Sequence, residues 1–494
     1  MERNRQEFLE MLCNLYLTAI LAALPLYTRG TYYRLGDDKY LLFRNVSLVC
    51  AAVWLLSGIA VGIWKAVCRK GQFPEGCSIS SMDIFMGAYA AVVFLSFLCS
   101  RYRQTAWNGY QDWHMGALTQ LFFVWMYFFI SRNYRSAAYP MYLGLGALFA
   151  VTLLGLLNRL GIDPLGLLAP FGPGDWEYTH MLSTIGNINW LCGYYAVALA
   201  FSVTGFLYGK GKGKMLLCYG VSVLSLLLLC IQGSAGGIAV AFVCVGITLL
   251  LGWRKEEIFE KGILLGAGTA FLMPGMAALI WLCQSKAALP GDSRAYELVT
   301  WWGWLFIGAA FLLFYGIQKR MPSKTQRLLR RGCSLLIWAG AVLACFCYLA
   351  SMDWGDDWGT GRGGLWRLAW EGFLQADLGQ KLVGAGPDCF AEYIYDVFPV
   401  RDIISPIGHW SDSIFANAHN EWLNHLVNLG LTGVLAYLGI FAGGIWRYRG
   451  MALGIFALAL YGVYSLISFQ QVTSTPLFFA VLGICESICR KGKH

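Results

Sequence analysis

The sequence predicts an all-α polytopic membrane protein of about 14 transmembrane helices, with one long extracytoplasmic loop built of short helices. Three observations carry this. Of the 494 residues, 57% are hydrophobic and 13% charged, about half the charge of an ordinary soluble domain. Mean hydropathy is +0.55, more apolar surface than a water-soluble core of this size could hide. Aromatic residues reach 15%, with 20 Trp, as expected of belts where lipid meets water.

Taken in order, apolar runs long enough to span a bilayer fall near 8–28, 40–64, 82–100, 115–131, 138–157, 188–208 and 215–231. They continue near 235–252, 262–282, 298–317, 333–350, 423–446, 451–467 and 475–489. The first has a charged lead and no small-residue cleavage site before Arg29, so it reads as a retained signal anchor. Alternate connections are basic, among them Lys65/Arg69/Lys70, KGKGK at 210–214 and KRMPSKTQRLLRR at 319–331. These connections hold 24 of the 37 Lys and Arg but 9 of the 28 Asp and Glu, a net of +15 against −6 elsewhere. That asymmetry places both termini in the cytoplasm. It also accounts for the overall charge of +9 without nucleic acid. The long loops 158–187 and 351–422 then face outward, where a membrane scaffold keeps its function. Most cysteines, such as Cys13, Cys50, Cys218, Cys230, Cys345 and Cys347, lie in apolar runs and act as small hydrophobes. Cys389 is alone in the long loop, and no CxxC pair occurs.

Four constellations carry polar chemistry. In NAHNEWLNHLVNLGLTGVLAYLGIF, 417–441, His419 precedes a helix on which Glu421, Asn424, His425 and Asn428 share one side. Such groups at a span's end need a cavity or protein partners. His419 suits general-base work, although from residue type alone a hydrated interfacial histidine is the commoner explanation. In GTGRGGLWRLAWEGFLQADLGQKLVGAGPDCF, 359–390, apolar residues recur at helical spacing from Leu365 to Phe373, giving an amphipathic helix along the membrane surface. Arg362 and Arg367 would stand at its edge as phosphate ligands or simple anchors. GAGPD, 384–388, reads as a turn and lacks the Lys-Ser/Thr of a nucleotide loop. In TIGNINWLCGYY, 184–195, Asn187 and Asn189 can bind a sugar or phosphate or cap the helix. QGSAGG, 232–237, suits close helix packing. His409, His419 and His425 lack ligand spacing, so no metal site is expected.

These segments, in this order, resemble the O-antigen ligase and polymerase family of bacterial envelope glycosyltransferases over roughly residues 180–445. GNINWLCGYY is similar to its Gly-Asn-x-Asn-x-x-x-Gly-Tyr segment, and GRGGLWRLAWEGF with LVGAGPDCF to its Arg-x-x-x-Trp helix and Gly-x-Gly-x-x-x-Phe turn. AHNEWLNHLVNLGLTGVL resembles its His-Asn-x-x-Leu and Gly-Leu-x-Gly signature. The resemblance implies a C-type membrane glycosyltransferase-like fold with N-terminal helices over 1–180. It also implies a core over 181–446 and C-terminal helices over 447–494. It implies transfer of a glycan from a polyprenyl-diphosphate carrier to an acceptor hydroxyl, outside the cytoplasmic membrane of a bacterium. The acceptor would be a glycan, lipid or protein, the donor the only cofactor-like group, and membrane lipids the surroundings. His419 matches the family's base and Arg362 its donor-holding arginine. Asn187, Asn189, Arg367, Asn420, Glu421 and Arg294 are the expected substrate-binding residues. Two departures stand out: Ser234-Ala235-Gly236-Gly237 lacks an arginine the family often has there, and Asn428 stands where it has Glu. Arg294, Arg367, Lys381 or Arg401 are the available replacements. A transporter or flippase of lipid-linked glycans, and a non-catalytic family member, are the alternative functions.

Overall fold

The computed structural model describes residues 2–67, 78–283, 297, 300–351, 355–356, 358–400, 403 and 415–492. Arg294, Arg401 and His409 lie outside them. The protein is all-helical apart from a two-residue antiparallel ladder pairing Met181–Leu182 with Gly186–Asn187.

Each of the fourteen apolar runs contains a helix. Among the described residues, eight helices are long and apolar enough to cross a membrane, from Arg3–Leu26 to Glu421–Arg447. Ala235–Leu251 and Ala452–Ser465 are apolar but shorter. The outward faces are apolar as well: Leu56 is 63% exposed, Phe306 79% and Leu336 73%. Water would leave such faces uncovered, whereas lipid tails match them. This is a multi-pass membrane protein.

The chain forms two compact units: Met1–Arg29, Arg34–Gly144 and Gly355–His494 make one, Gly30–Tyr33 and Leu145–Trp354 the other. They follow a different division from the expected 1–180, 181–446 and 447–494. The reason lies in packing across the sequence: Ser81–Cys99 lies against Glu421–Arg447, and Ala117–Asn133 against Thr475–Lys491. Ion pairs tie these helices at one end. Arg132 and Arg490 both pair with Asp83, and Arg447 with Glu486 at 3.0 Å. The second unit packs Ile188–Tyr208 on Lys212–Ile231 and Glu256–Leu282 on Gly303–Arg320.

Within the first unit, the segment before Glu421 forms the 18-residue helix Trp358–Gln375 and the short helices Leu378–Val383 and Phe390–Val397. The apolar face of Trp358–Gln375 turns inward. Leu365, Leu368 and Ala369 join Phe390, Ile394, Ala418 and Val427 in one buried cluster. The sequence located this face but not its partner, which is protein; Trp370 on the other side is 50% exposed.

Candidate functional site

The helix Glu421–Arg447 is interrupted at Gly430, whose backbone sits at φ +66°, ψ −169°. The carbonyls of Val427 and Asn428 therefore lose their helical donors. They accept instead from the N–H groups of Ala385 (2.9 Å) and Gly386 (3.0 Å). The Ser96 hydroxyl donates to Asn428 O as well, at 2.9 Å. Irregular backbone in an apolar segment persists only where protein satisfies it. Two glycines permit the approach. A Cβ on Gly384 (φ +81°) would lie 2.2 Å from the Asn428 carbonyl, and one on Gly430 2.5 Å from that of Leu382. GAGPD is thus a turn, as its sequence implies, and one strapped onto a broken helix.

The strap carries Asp388 inward. Its Oδ2 accepts from the backbone N–H groups of Tyr110 (2.7 Å) and Met115 (2.8 Å). Those amides favour the carboxylate, but burial outweighs them and, with Glu392 nearby, raises the carboxyl to about 7. Asp388 is 3% exposed.

His419 occupies the left-handed region at φ +47°, a conformation His adopts more readily than most side chains. Its N–H donates to Asn417 Oδ1 at 3.1 Å, and its half-buried ring meets Phe469 edge-on at 5.2 Å between centroids. Burial and the Arg362 guanidinium hold the imidazole down to about 3, so it is neutral throughout the physiological range. Arg362, in the first turns of Trp358–Gln375, donates through Nη1 to Gly359 O at 3.3 Å.

Below His419 lies a polar network that residue types alone did not reveal. His425 Nδ1 donates to Glu421 O at 2.7 Å, so Nε2 faces the Tyr89 hydroxyl at 3.0 Å as the acceptor nitrogen of a neutral ring. Tyr89 also lies 2.8 Å from Gln120 Oε1 and 3.4 Å from Gln470 Nε2. The fully buried Glu421 accepts from the Tyr437 hydroxyl. A small pocket with about 10 Å³ of room for water-sized molecules is lined by Trp113, Gln120, Asp388, Asn417, Asn424, His425, Asn428, Phe469 and Gln470. Asn428 Oδ1 is buried there with no hydrogen-bond partner.

Arg362 therefore lies near enough to His419, just before the Glu421–Arg447 helix, for its charge to act on the ring. The other expected residues have different surroundings. Asn420 caps that helix, its Oδ1 accepting from Trp422 N–H (3.0 Å) and Leu423 N–H (3.1 Å), while its Nδ2 donates to Leu466 O at 3.0 Å. Arg367 is gripped bidentately by Asp356 at 2.8 and 3.1 Å and touches Glu371. In the second unit Asn187 caps Ile188–Tyr208, and Asn189 Oδ1 accepts from the Ser234 hydroxyl at 2.7 Å. Lys381 sits in the short helix Leu378–Val383. Asp388, Gln120 and Gln470 are the residues sequence reasoning missed. A lone polar residue in an apolar run was the available signal for Gln120; Asp388 had none, because it passes as a turn residue.

No family model matches the chain, and no curated protein matches it.

Proposed function

We propose that the chain is a membrane glycosyltransferase of the O-antigen ligase or polymerase type. It moves a glycan from a polyprenyl-diphosphate carrier to an acceptor hydroxyl. On this reading all fourteen apolar helices cross the bacterial cytoplasmic membrane, both termini are cytoplasmic, and residues 351–422 face outward. The observation that carries it is a neutral, half-buried His419 within range of the Arg362 charge. A neutral imidazole draws the proton from an attacking hydroxyl, and a fixed guanidinium offsets charge growing on the leaving diphosphate. Arg362 meets that charge without a metal. Direct attack predicts inversion at the sugar carbon.

The test is transfer in nanodiscs, using lipid-linked glycan extracted from the source cells and their envelope fraction as acceptor, scored by gel mobility. His419→Ala should lower turnover by about 10²–10⁴-fold, with Arg362→Ala comparably affected and both proteins inserted normally. Wild-type turnover in His419→Ala would refute the assignment. Single additions mean a ligase, and a ladder means a polymerase.

A transporter or flippase of lipid-linked glycans is the second reading. One observation favours it: the broken helix at Gly430, since discontinuous helices recur at transport sites. The two backbone hydrogen bonds from the strap weigh against that break as a moving part. Passage of labelled lipid-linked glycan between leaflets, without transfer, would establish this reading instead.

A further inference from the structure

The pocket beside His419 has more chemistry in it than a histidine and an arginine. Asp388 arrives through the strap, and both of its intramolecular bonds engage one oxygen, Oδ2. Among the described residues, Oδ1 accepts no hydrogen bond. Across the same pocket Asn428 Oδ1 is buried and equally without a donor. A buried acceptor on Asn428 and an open carboxylate oxygen on Asp388, two residues lining one pocket, suit a ligand that brings O–H groups, because leaving a buried acceptor unmet is costly. Two of the residues lining the pocket also touch His419. Asn417 lines it and holds the His419 N–H, and Phe469 lines it and meets the His419 ring.

Resting on the glycan-transfer reading, we infer that this pocket receives the acceptor hydroxyl and that Asp388 is the group that ends the step holding its proton. Balanced over the step, the hydroxyl O–H bond breaks and a new O–H bond forms at Asp388 Oδ1. The freed oxygen pair closes on the anomeric carbon of the donor sugar. The bond from that carbon to the diphosphate oxygen breaks, and its electron pair leaves with the diphosphate, whose charge Arg362 offsets.

His419 stands beside that pocket, but a ring whose charged form Arg362 disfavours is a poor place to leave a positive charge. A buried carboxylate is the better store, since a base works best when its pKa lies near the operating pH. The carboxyl, raised to about 7, meets that condition. The titratable groups facing it are Glu392 on the next helix, Cys389 beside it, Tyr110 on the anchoring loop and His425 across the pocket.

Asp388→Asn separates chemistry from structure, because an amide oxygen can accept the same two backbone N–H groups. A carboxyl raised above its unfolded value binds its proton more tightly when folded, so its stability contribution is lost as pH climbs through about 7. The Asn variant should therefore melt no lower than wild type at pH 8. In the nanodisc assay its kcat at pH 8 should fall about 10²–10⁴-fold. Wild-type kcat should rise through a limb near pH 7 as the carboxyl ionises. The residual activity of Asp388→Asn should lack that limb, and Asp388→Glu should keep a displaced one. Asp388→Asn with wild-type kcat and an unchanged pH limb would overturn this inference alone. A wild-type chain that transfers no glycan at all would overturn the transfer reading beneath it.

Discussion

Two regions of the molecule use the same parts to opposite ends. In each unit a helix begins at an asparagine cap, a tight glycine-containing turn packs near it, and a charged side chain is almost wholly buried beside them. In the second unit that charge is Arg159, 0% exposed. It donates to Thr179 O at 2.7 Å and to Gln232 O. Asn187, Asn189 and Ser234 bond to backbone or to one another. In the first unit the charge is Asp388, and half of its capacity faces a pocket. Burial of a charge therefore points to function where an open hydrogen-bonding position faces a pocket, as at Asp388. Where that capacity goes into holding carbonyls, the charge is a brace.

The comparison can be broken most forcefully at Arg159. Arg159→Ala strands two carbonyls that the guanidinium now holds, so it should destabilise the protein by about 3 kcal/mol or more. The loss would appear as a lower melting temperature and poor yield in detergent. A variant that melts normally but has lost transfer would reassign Arg159 to the chemistry. The first unit offers a smaller probe at Asn420, whose side chain caps a helix. Asn420→Ala should cost about 1 kcal/mol while turnover stays within a few-fold of wild type. Turnover loss on the scale of His419→Ala would mean that Asn420 touches substrate after all. The smallest effect belongs to Arg367, whose fork is already filled by Asp356. Arg367→Gln should change stability by about 0–1 kcal/mol and leave KM for the lipid-linked donor unchanged, whereas a clear rise in KM would show that Asp356 yields to phosphate.

What the sequence disclosed and what it hid divide along the same line. Helices were legible because hydropathy and length are local properties; the run read at 188–208 is the helix Ile188–Tyr208. His419 and Arg362 were found through the order of short motifs, and the structure puts them near one another. The break at Gly430 was illegible, since one glycine in an apolar run is compatible with an unbroken helix. Asp388 was hidden for a deeper reason. Its surroundings come from amides at Tyr110 and Met115, far away in the chain. The inward face of Trp358–Gln375 shows the same limit, because periodicity reveals that a face is apolar and not what covers it.

The span between Asp388 and its anchors sets an order on biogenesis. Tyr110 precedes Asp388 by 278 residues. At ribosomal speeds of about 5–20 residues per second, roughly 15–55 s separate their synthesis. Until then the loop that will grip the carboxylate has only water or a chaperone to satisfy its amides. The pocket is consequently among the last features to close, and a nascent chain stalled before residue 388 would carry its early helices without it.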